Sequence, residues 1–320
     1  MVLHIRRQEP FIVTLFYHRK ILCLNLSRFL LFFSIFFSLY TSNTFASEET
    51  TRNAVQNAFI ANYGRPADPE GLTSTDRNWY QPEINTTWQW QLSGDINIAY
   101  QVDMYDIDLF DTRIETIASL QNAGIRVICY FSAGSWEGWR GDATRFDKQD
   151  IGKTLDGWPD ERWLNITSGS VREIMLARLD LARQKGCDGV EPDNVTAYKG
   201  NSGFALTAQE QLDYNRFLAK SAHKRGLAIG LKNDLGQVID LVDHFDFAVN
   251  EQCHQYNECD LLQPFIDAGK PVFNAEYADR YLADSRVLCS DTLNRQFRTL
   301  ILPVNLDDSF RISCEDRNFE

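Results

Sequence analysis

The chain has 320 residues, 44% of them hydrophobic and 24% charged, with 44 acidic residues against 32 basic ones and a formal net charge of −12. That balance argues against a nucleic-acid partner, because phosphates demand a basic surface. The length suits one large domain with a substantial core.

Residues 1–46 read as a secretory signal rather than as part of the fold. Arg6, Arg7, Arg19, Lys20 and Arg28 precede an apolar run over 29–40, and the small-residue stretch Thr44-Phe45-Ala46 follows, with cleavage expected after Ala46. The run is shorter than the about 20 apolar residues of a membrane span. The long basic leader leaves an uncleaved anchor as the alternative. No later stretch is a credible span, so the expected product is exported, secreted or held in the cell envelope. Its acidic excess is larger still, since the signal carries five basic residues and one acidic residue.

Residues 47–87 are polar and turn-rich, with Gly64, Pro66, Pro69 and Gly71, and are expected to form a loosely ordered lead-in to a single domain over 88–320. Residues 87–92 alternate aromatic and amide side chains as a short strand. Eight further strands are predicted at 104–109, 126–132, 162–166, 189–192, 228–232, 245–250, 271–276 and 297–302. Helical periodicity lies between most of them, clearest at 112–123, 171–184 and 207–224. The last of these opens with Thr207 and Glu210 at capping-box spacing. Periods near 3.6 alternating with short β-rich runs indicate parallel βα units, and eight of them predict an α/β (β/α)8 barrel of the TIM type. A doubly wound open sheet is the rival, but no glycine-rich phosphate loop follows the first strand.

Function in such barrels sits at the C-terminal ends of the strands. The stretch KGCDGVEPDN (185–194) places Glu191 and Asp193 on one face of its strand, since side chains two apart point the same way. Taken alone, these are also what a capped turn with solvated acids looks like. The other strand ends carry Asp106 and Asp108, Tyr130 and Ser132, Lys232 and Asn233, Asn250 and Glu251, and Asn274 and Glu276. Each singly is more often structural than catalytic. Carboxylates at ends one, four, six and seven fall on one rim. With Trp88, Trp90, Tyr130, Trp136, Trp139, Trp163 and Tyr277 they are what polysaccharide hydrolysis requires: two acids for the bond and aromatic faces for the rings. Tryptophans also fill cores. No histidine stands beside a serine or cysteine nucleophile, and Ser132 and Ser135 in SAGS are unsupported.

Six cysteines follow the signal, an even count in an exported chain. Cys253–Cys259 and Cys289–Cys314 are the predicted disulfides, and Cys129 and Cys187, in or beside strands, are left open between buried thiols and a pair. The spacing does not resemble a zinc site.

The chain closely resembles the endo-α-1,4-polygalactosaminidase family, glycoside hydrolase family 114. The match runs through WQWQLSG (88–94), YDIDLFDT (105–112), CYFSAGSWEGWR (129–140), WPDERWLNI (158–166), KGCDGVEPDN (185–194), GLAIGLKND (226–234), FDFAVNEQC (245–253) and NAEY (274–277). The resemblance implies a retaining or at least two-carboxylate hydrolase of α-1,4-linked galactosamine polymer such as galactosaminogalactan, with no metal or organic cofactor. It places the catalytic pair at Asp193, as nucleophile, and Glu251, as acid/base. The expected substrate-binding residues are Asp106, Asp108, Tyr130, Trp136, Glu191, Asn194, Lys232, Asn233, Asn250 and Glu276. Thr196 departs from the pattern, standing where many relatives carry another acid after the PDN motif. Two alternatives come from other classes. One is a non-catalytic polysaccharide-binding barrel, and the other a metal-dependent carbohydrate deacetylase using Asp188, Glu191 and Asp193.

Overall fold

Eight short strands run parallel and in sequence order around a common interior. The computed structural model of the protein describes residues 78–316, so the signal over 1–46 and most of the lead-in lie outside the described residues. Strands β1 (Trp88–Gln91), β2 (Met104–Asp108), β3 (Arg126–Ser132), β7 (Gly189–Asp193), β8 (Ala228–Lys232), β9 (Phe247–Glu251), β10 (Val272–Glu276) and β11 (Arg298–Ile301) pair parallel in that order, and β12 (Ile312–Ser313) adds antiparallel to β11. Helices between them include α1 (Ile114–Asn122), α2 (Gly169–Lys185) and α3 (Ala208–His223), the last opened by the predicted Thr207–Glu210 capping box.

Alternation along each strand sorts side chains into two cores. Outward residues such as Ile107, Val127, Phe131, Val190, Leu231 and Ala248 pack under the helices. Inward residues Trp88, Met104, Ile128, Ala228, Phe247, Phe273 and Leu300 meet one another, although they come from strands at both ends of the sheet order. That mutual contact requires a sheet curled on itself. The Trp88 indole donates to the Arg298 carbonyl at 2.9 Å, joining β1 to β11 by a side chain. Among the described residues no backbone ladder joins those two strands. Gly230 makes room inside, because a Cβ there would lie 2.4 Å from the Phe247 ring. Burying each such aromatic contributes about 1.5–3 kcal/mol.

Two expectations change. The predicted third strand, 162–166, is not in this sheet. It belongs to β6 (Trp158–Leu164), the middle strand of a separate antiparallel sheet with β4 (Ser135–Glu137) and β5 (Ile151–Leu155), inserted between β3 and α2. The short 87–92 strand takes the vacant place as β1, so β7 and β9 remain fourth and sixth. The end of the lead-in is also fixed rather than loose. Trp79 stacks on His223 at 4.1 Å and donates to Asp246 at 2.9 Å.

All six cysteines among the described residues are paired. Cys253–Cys259 and Cys289–Cys314 form as expected. Cys129 and Cys187, whose pairing the sequence leaves open, form a third disulfide, from the outward face of β3 to the segment just before β7. No helix among the described residues is long and apolar enough to cross a membrane.

Candidate active site

The inward positions become polar toward the C-terminal ends of the strands. Above the apolar layer sit Asp106 on β2, Tyr130 on β3, Glu191 and Asp193 on β7, Lys232 on β8 and Glu251 on β9. Lys232 is the hub. Its Nζ lies 3.0 Å from Glu191 Oε1, 3.3 Å from Asp193 Oδ1 and 3.5 Å from Glu251 Oε2. It also stands 4.7 Å over the Trp90 ring and 5.7 Å from that of Tyr130. Burial alone would lower this lysine, but Asp193, Glu191 and Glu251 outweigh it and hold its pKa well above the usual value.

Below the hub, Asp106 and Glu191 are fully buried side by side. Burial pushes Glu191 up to about 7 against the pull of Lys232. Burial, and then the charge of Glu191, push Asp106 well above its ordinary range. No donor reaches either Asp106 oxygen among the described residues. A buried carboxylate does not tolerate that, whereas a carboxyl that keeps its proton beside Glu191 does, because like charges this close do not both ionise.

Asp193 and Glu251 face the opening, with side chains 20% and 30% exposed. On Asp193 the Tyr130 hydroxyl donates to Oδ2 at 3.0 Å and the Asn194 N–H to Oδ1 at 2.6 Å. Glu251 accepts from the Tyr277 hydroxyl at 2.7 Å and from Asn233 Nδ2 at 3.1 Å. Burial and the charge of Glu251 push the Tyr277 phenol far up, and burial and the charge of Asp193 do the same to Tyr130. Both therefore remain hydrogen donors at any ordinary pH.

The backbone turns unusually at this rim. Asn194 directly after β7, Asn233 and Asp234 after β8 and Gln252 after β9 all have left-handed conformations, with φ of 61°, 50°, 44° and 64°. Such residues are uncommon outside glycine, and Asn and Asp tolerate them best. Three consecutive strands ending this way are an observed concentration of strain of the kind that gathers at working sites.

The remaining sequence candidates divide. Asn194 lies at the rim, its amide on Ser132 Oγ at 3.0 Å and Ser135 Oγ at 3.2 Å. Asp108 is spent on the two Arg140 contacts at 2.6 and 3.0 Å and on the N–H groups of Phe110 and Asp111. Trp136 is half-buried with its indole on the Ala143 carbonyl. Asn250 and Glu276 have the opposite parity to the inward residues of their strands. Asn250 receives the Cys253 N–H and the Asn274 amide, and Glu276 receives the His254 N–H. These two hold the loop after β9 from behind. Glu161, on β6, was not anticipated. It accepts from Ser135 Oγ at 2.5 Å, and burial, with the charge of Asp193 adding to it, raises its pKa.

The three acids of a deacetylase-type metal site do not converge. Asp188 is at the opposite end of β7, bound to Arg126 at 2.7 Å and to the Val127 N–H at 2.9 Å. The one ligand-like group among the described residues, Cys253, His254 and Cys259, has both sulfurs in a disulfide.

The family model described as glycoside-hydrolase family GH114 matches residues 69–318. The structure of Ega3 from Aspergillus fumigatus, in complex with galactosamine, is 42% identical with a TM-score of 0.72, covering 77% of this chain and 100% of that one. The glycoside hydrolase domain of PelA from Pseudomonas aeruginosa is similar in fold, at 15% identity and a TM-score of 0.55 over 71% of this chain and 98% of that one. No curated protein matches the chain.

Proposed function

The chain belongs to glycoside-hydrolase family GH114, and from that premise we propose that it is an exported endo-hydrolase of α-1,4-linked, galactosamine-containing polysaccharide. The observation that carries the reading is that one ammonium, Lys232 Nζ, contacts both Asp193 at 3.3 Å and Glu251 at 3.5 Å. The two oxygens concerned are no farther apart than the sum of those distances. That closeness is compatible with the about 5–5.5 Å separation of the carboxyl groups in a retaining pair. The galactosamine in the Ega3 structure supports the choice of sugar.

In the proposed reaction, an Asp193 oxygen attacks the anomeric carbon as the glycosidic bond breaks, and Glu251 gives its proton to the departing oxygen. Glu251 then takes a proton from water, which attacks the same carbon and releases the Asp193 carboxylate. Asp193 is the more enclosed of the two and has donors from Tyr130, Asn194 and Lys232, which suits a nucleophile that must be aimed. Glu251 is the more exposed, which suits a group that meets both leaving group and water.

Three disulfides support an oxidising compartment, in line with export by the signal over 1–46. Eight parallel strands around one interior support a (β/α)8 barrel as the working architecture. A polysaccharide-binding barrel without activity has no need of two acids on one lysine. The deciding experiment incubates pure protein with deacetylated and with acetylated galactosamine polymer and identifies the products. Internal cleavage with release of short oligosaccharides is expected from the wild type and none from Asp193→Asn. An intact polymer in both tubes refutes the reading.

A further inference from the structure

Beside the acid pair lies a cavity of about 250 Å³ that reaches from Asn194 out to Trp163, Trp158, Asp156 and Asn201. Its two walls are different parts of the chain. One is the inserted sheet of β4, β5 and β6, and the other is the loop after β7. The walls are fastened together. The Lys153 N–H donates to the Ser202 carbonyl at 2.9 Å, and Lys153 Nζ to Asn201 Oδ1 at 2.7 Å. A Cβ on Gly152 would lie 2.2 Å from the Ser202 carbonyl, so only glycine allows this approach of β5 to the loop. On the other side a Cβ on Gly200 would lie 3.1 Å from the Trp163 ring, so the loop rests against the indole and fixes its plane. The cavity is therefore formed before any ligand arrives. Trp158, at its outer end, is 56% exposed, an unusual state for the largest apolar side chain.

The inner end is next to the chemistry. Asn194 lines the cavity, and its N–H is the donor on Asp193 Oδ1 at 2.6 Å. A ligand group here is one residue of chain away from the proposed nucleophile. The volume is below the about 300–1,000 Å³ of sites for drug-sized ligands, and suits one ring rather than several. Indole faces beside amide and carboxylate groups are the chemistry that holds a hydroxylated six-membered ring by stacking and by hydrogen bonds at its edge.

We propose that this cavity is a sugar subsite separate from the cleavage point, which takes one further pyranose residue of the polysaccharide with the indoles of Trp163 and Trp158 as its platform. The inference rests on the functional reading above and deepens it. A fixed holding point away from the acids favours long chains over short ones, which is the behaviour an endo-acting enzyme needs.

The test compares galactosamine oligosaccharides of increasing length. In wild-type protein, kcat/KM should step up at the length that first fills the cavity. Trp158→Ala should lower that step by roughly tenfold, equivalent to about 1.4 kcal/mol. Trp158 is exposed, so its truncation spares the fold, which circular dichroism checks. Trp163→Phe should reduce the same step less. Measured against Asp193→Asn, which still binds, Asp193→Asn/Trp158→Ala should lose affinity for the same series at the same length. Wild-type cleavage with an unchanged step in Trp158→Ala overturns the subsite and leaves the function standing. Wild-type protein that cleaves no galactosamine chain overturns the function and the subsite with it.

Discussion

Lys232, from the fifth strand of the sheet, stands 4.7 Å over the indole of Trp90, from the first. An ammonium that is 2% exposed thus has an aromatic face on one side and three carboxylates on the others. It is the one positive charge that contacts Glu191, Asp193 and Glu251 together among the described residues. Replacing it by methionine fills the space and removes the charge. Breaking a buried pair in this way costs about 3–5 kcal/mol. Lys232→Met should therefore lower the urea midpoint clearly and cut turnover by at least about a hundredfold. Unchanged stability with lost turnover would mean that the lysine serves the reaction alone, and unchanged turnover would remove it from the site.

The acid pair should separate by chemistry. Asp193→Asn should reduce kcat by about 10²–10⁴-fold or more while polysaccharide still binds. Glu251→Gln should impair natural substrate strongly but spare glycosides whose leaving group needs no proton. With such a substrate, azide should restore Glu251→Ala, and the glycosyl azide formed should keep the α configuration. A β product would show an inverting displacement, with Asp193 no longer a nucleophile.

Glu276 links the same region to pH. Burial raises its carboxyl from 4.5 to about 7, so the folded protein holds a proton there that the unfolded chain has released. Stability from this group is complete below pH 4.5 and falls as pH rises from there to about 7, because the unfolded chain ionises first. Glu276→Gln keeps an oxygen for the His254 N–H and has nothing to titrate. Denaturation midpoints at pH 5 and pH 8 should differ less in Glu276→Gln than in the wild type. An equal difference in both proteins would assign the pH effect elsewhere.

The disulfides should rank by the loop each closes. Cys129–Cys187 spans 58 residues and Cys253–Cys259 spans 6. In the chain-entropy account, loops of 15 and 100 residues give about 3 and about 4.7 kcal/mol, so the longer bridge should be worth about 4 kcal/mol. Removing it as Cys129→Ala/Cys187→Ala should lower the denaturant midpoint more than Cys253→Ala/Cys259→Ala. The latter loosens the turn that follows Glu251 and should show first in kcat. Non-reducing peptide mapping should recover all three pairs.

What the sequence disclosed follows from how far apart the deciding groups lie. Asp193 and Glu251 can be placed at strand ends because a strand end is a local pattern, while their choice as the proposed pair comes from the family resemblance. Asn250 and Glu276 were drawn into the substrate rim because a one-residue change of parity moves a side chain to the other face, and no local signal fixes that parity in strands buried on both sides. The segment at 162–166 was placed in the barrel because Trp163, Leu164 and Ile166 look like a buried strand. Its partners, Ser135 and Ile151, are set by tertiary pairing. The Cys129–Cys187 pair was invisible for the same reason, since cysteine count does not determine connectivity. Glu161 carries no mark beyond being an acid, and its position beside Ser135 comes only from the antiparallel pairing of β4 with β6.

The inserted sheet leaves the curled parallel sheet after β3 and its chain returns at β7, the strand paired directly with β3. The exit and the return are clamped within a few residues of each other, by the Ala133 and Gly134 N–H groups on the Asp193 carbonyl and the Leu164 N–H on the Gly134 carbonyl. Between those clamps the segment is tied back to the main sheet and its loops at a few points, among them Arg140 on Asp108, Asn194 on Ser135 and Lys153 on Ser202 and Asn201, so an exchange that keeps them should leave the register of the parallel strands unchanged. On the proposed subsite, a graft of residues 135–164 that keeps those contacts should transfer a relative's preference among chains while Asp193 and Glu251 stay where they are.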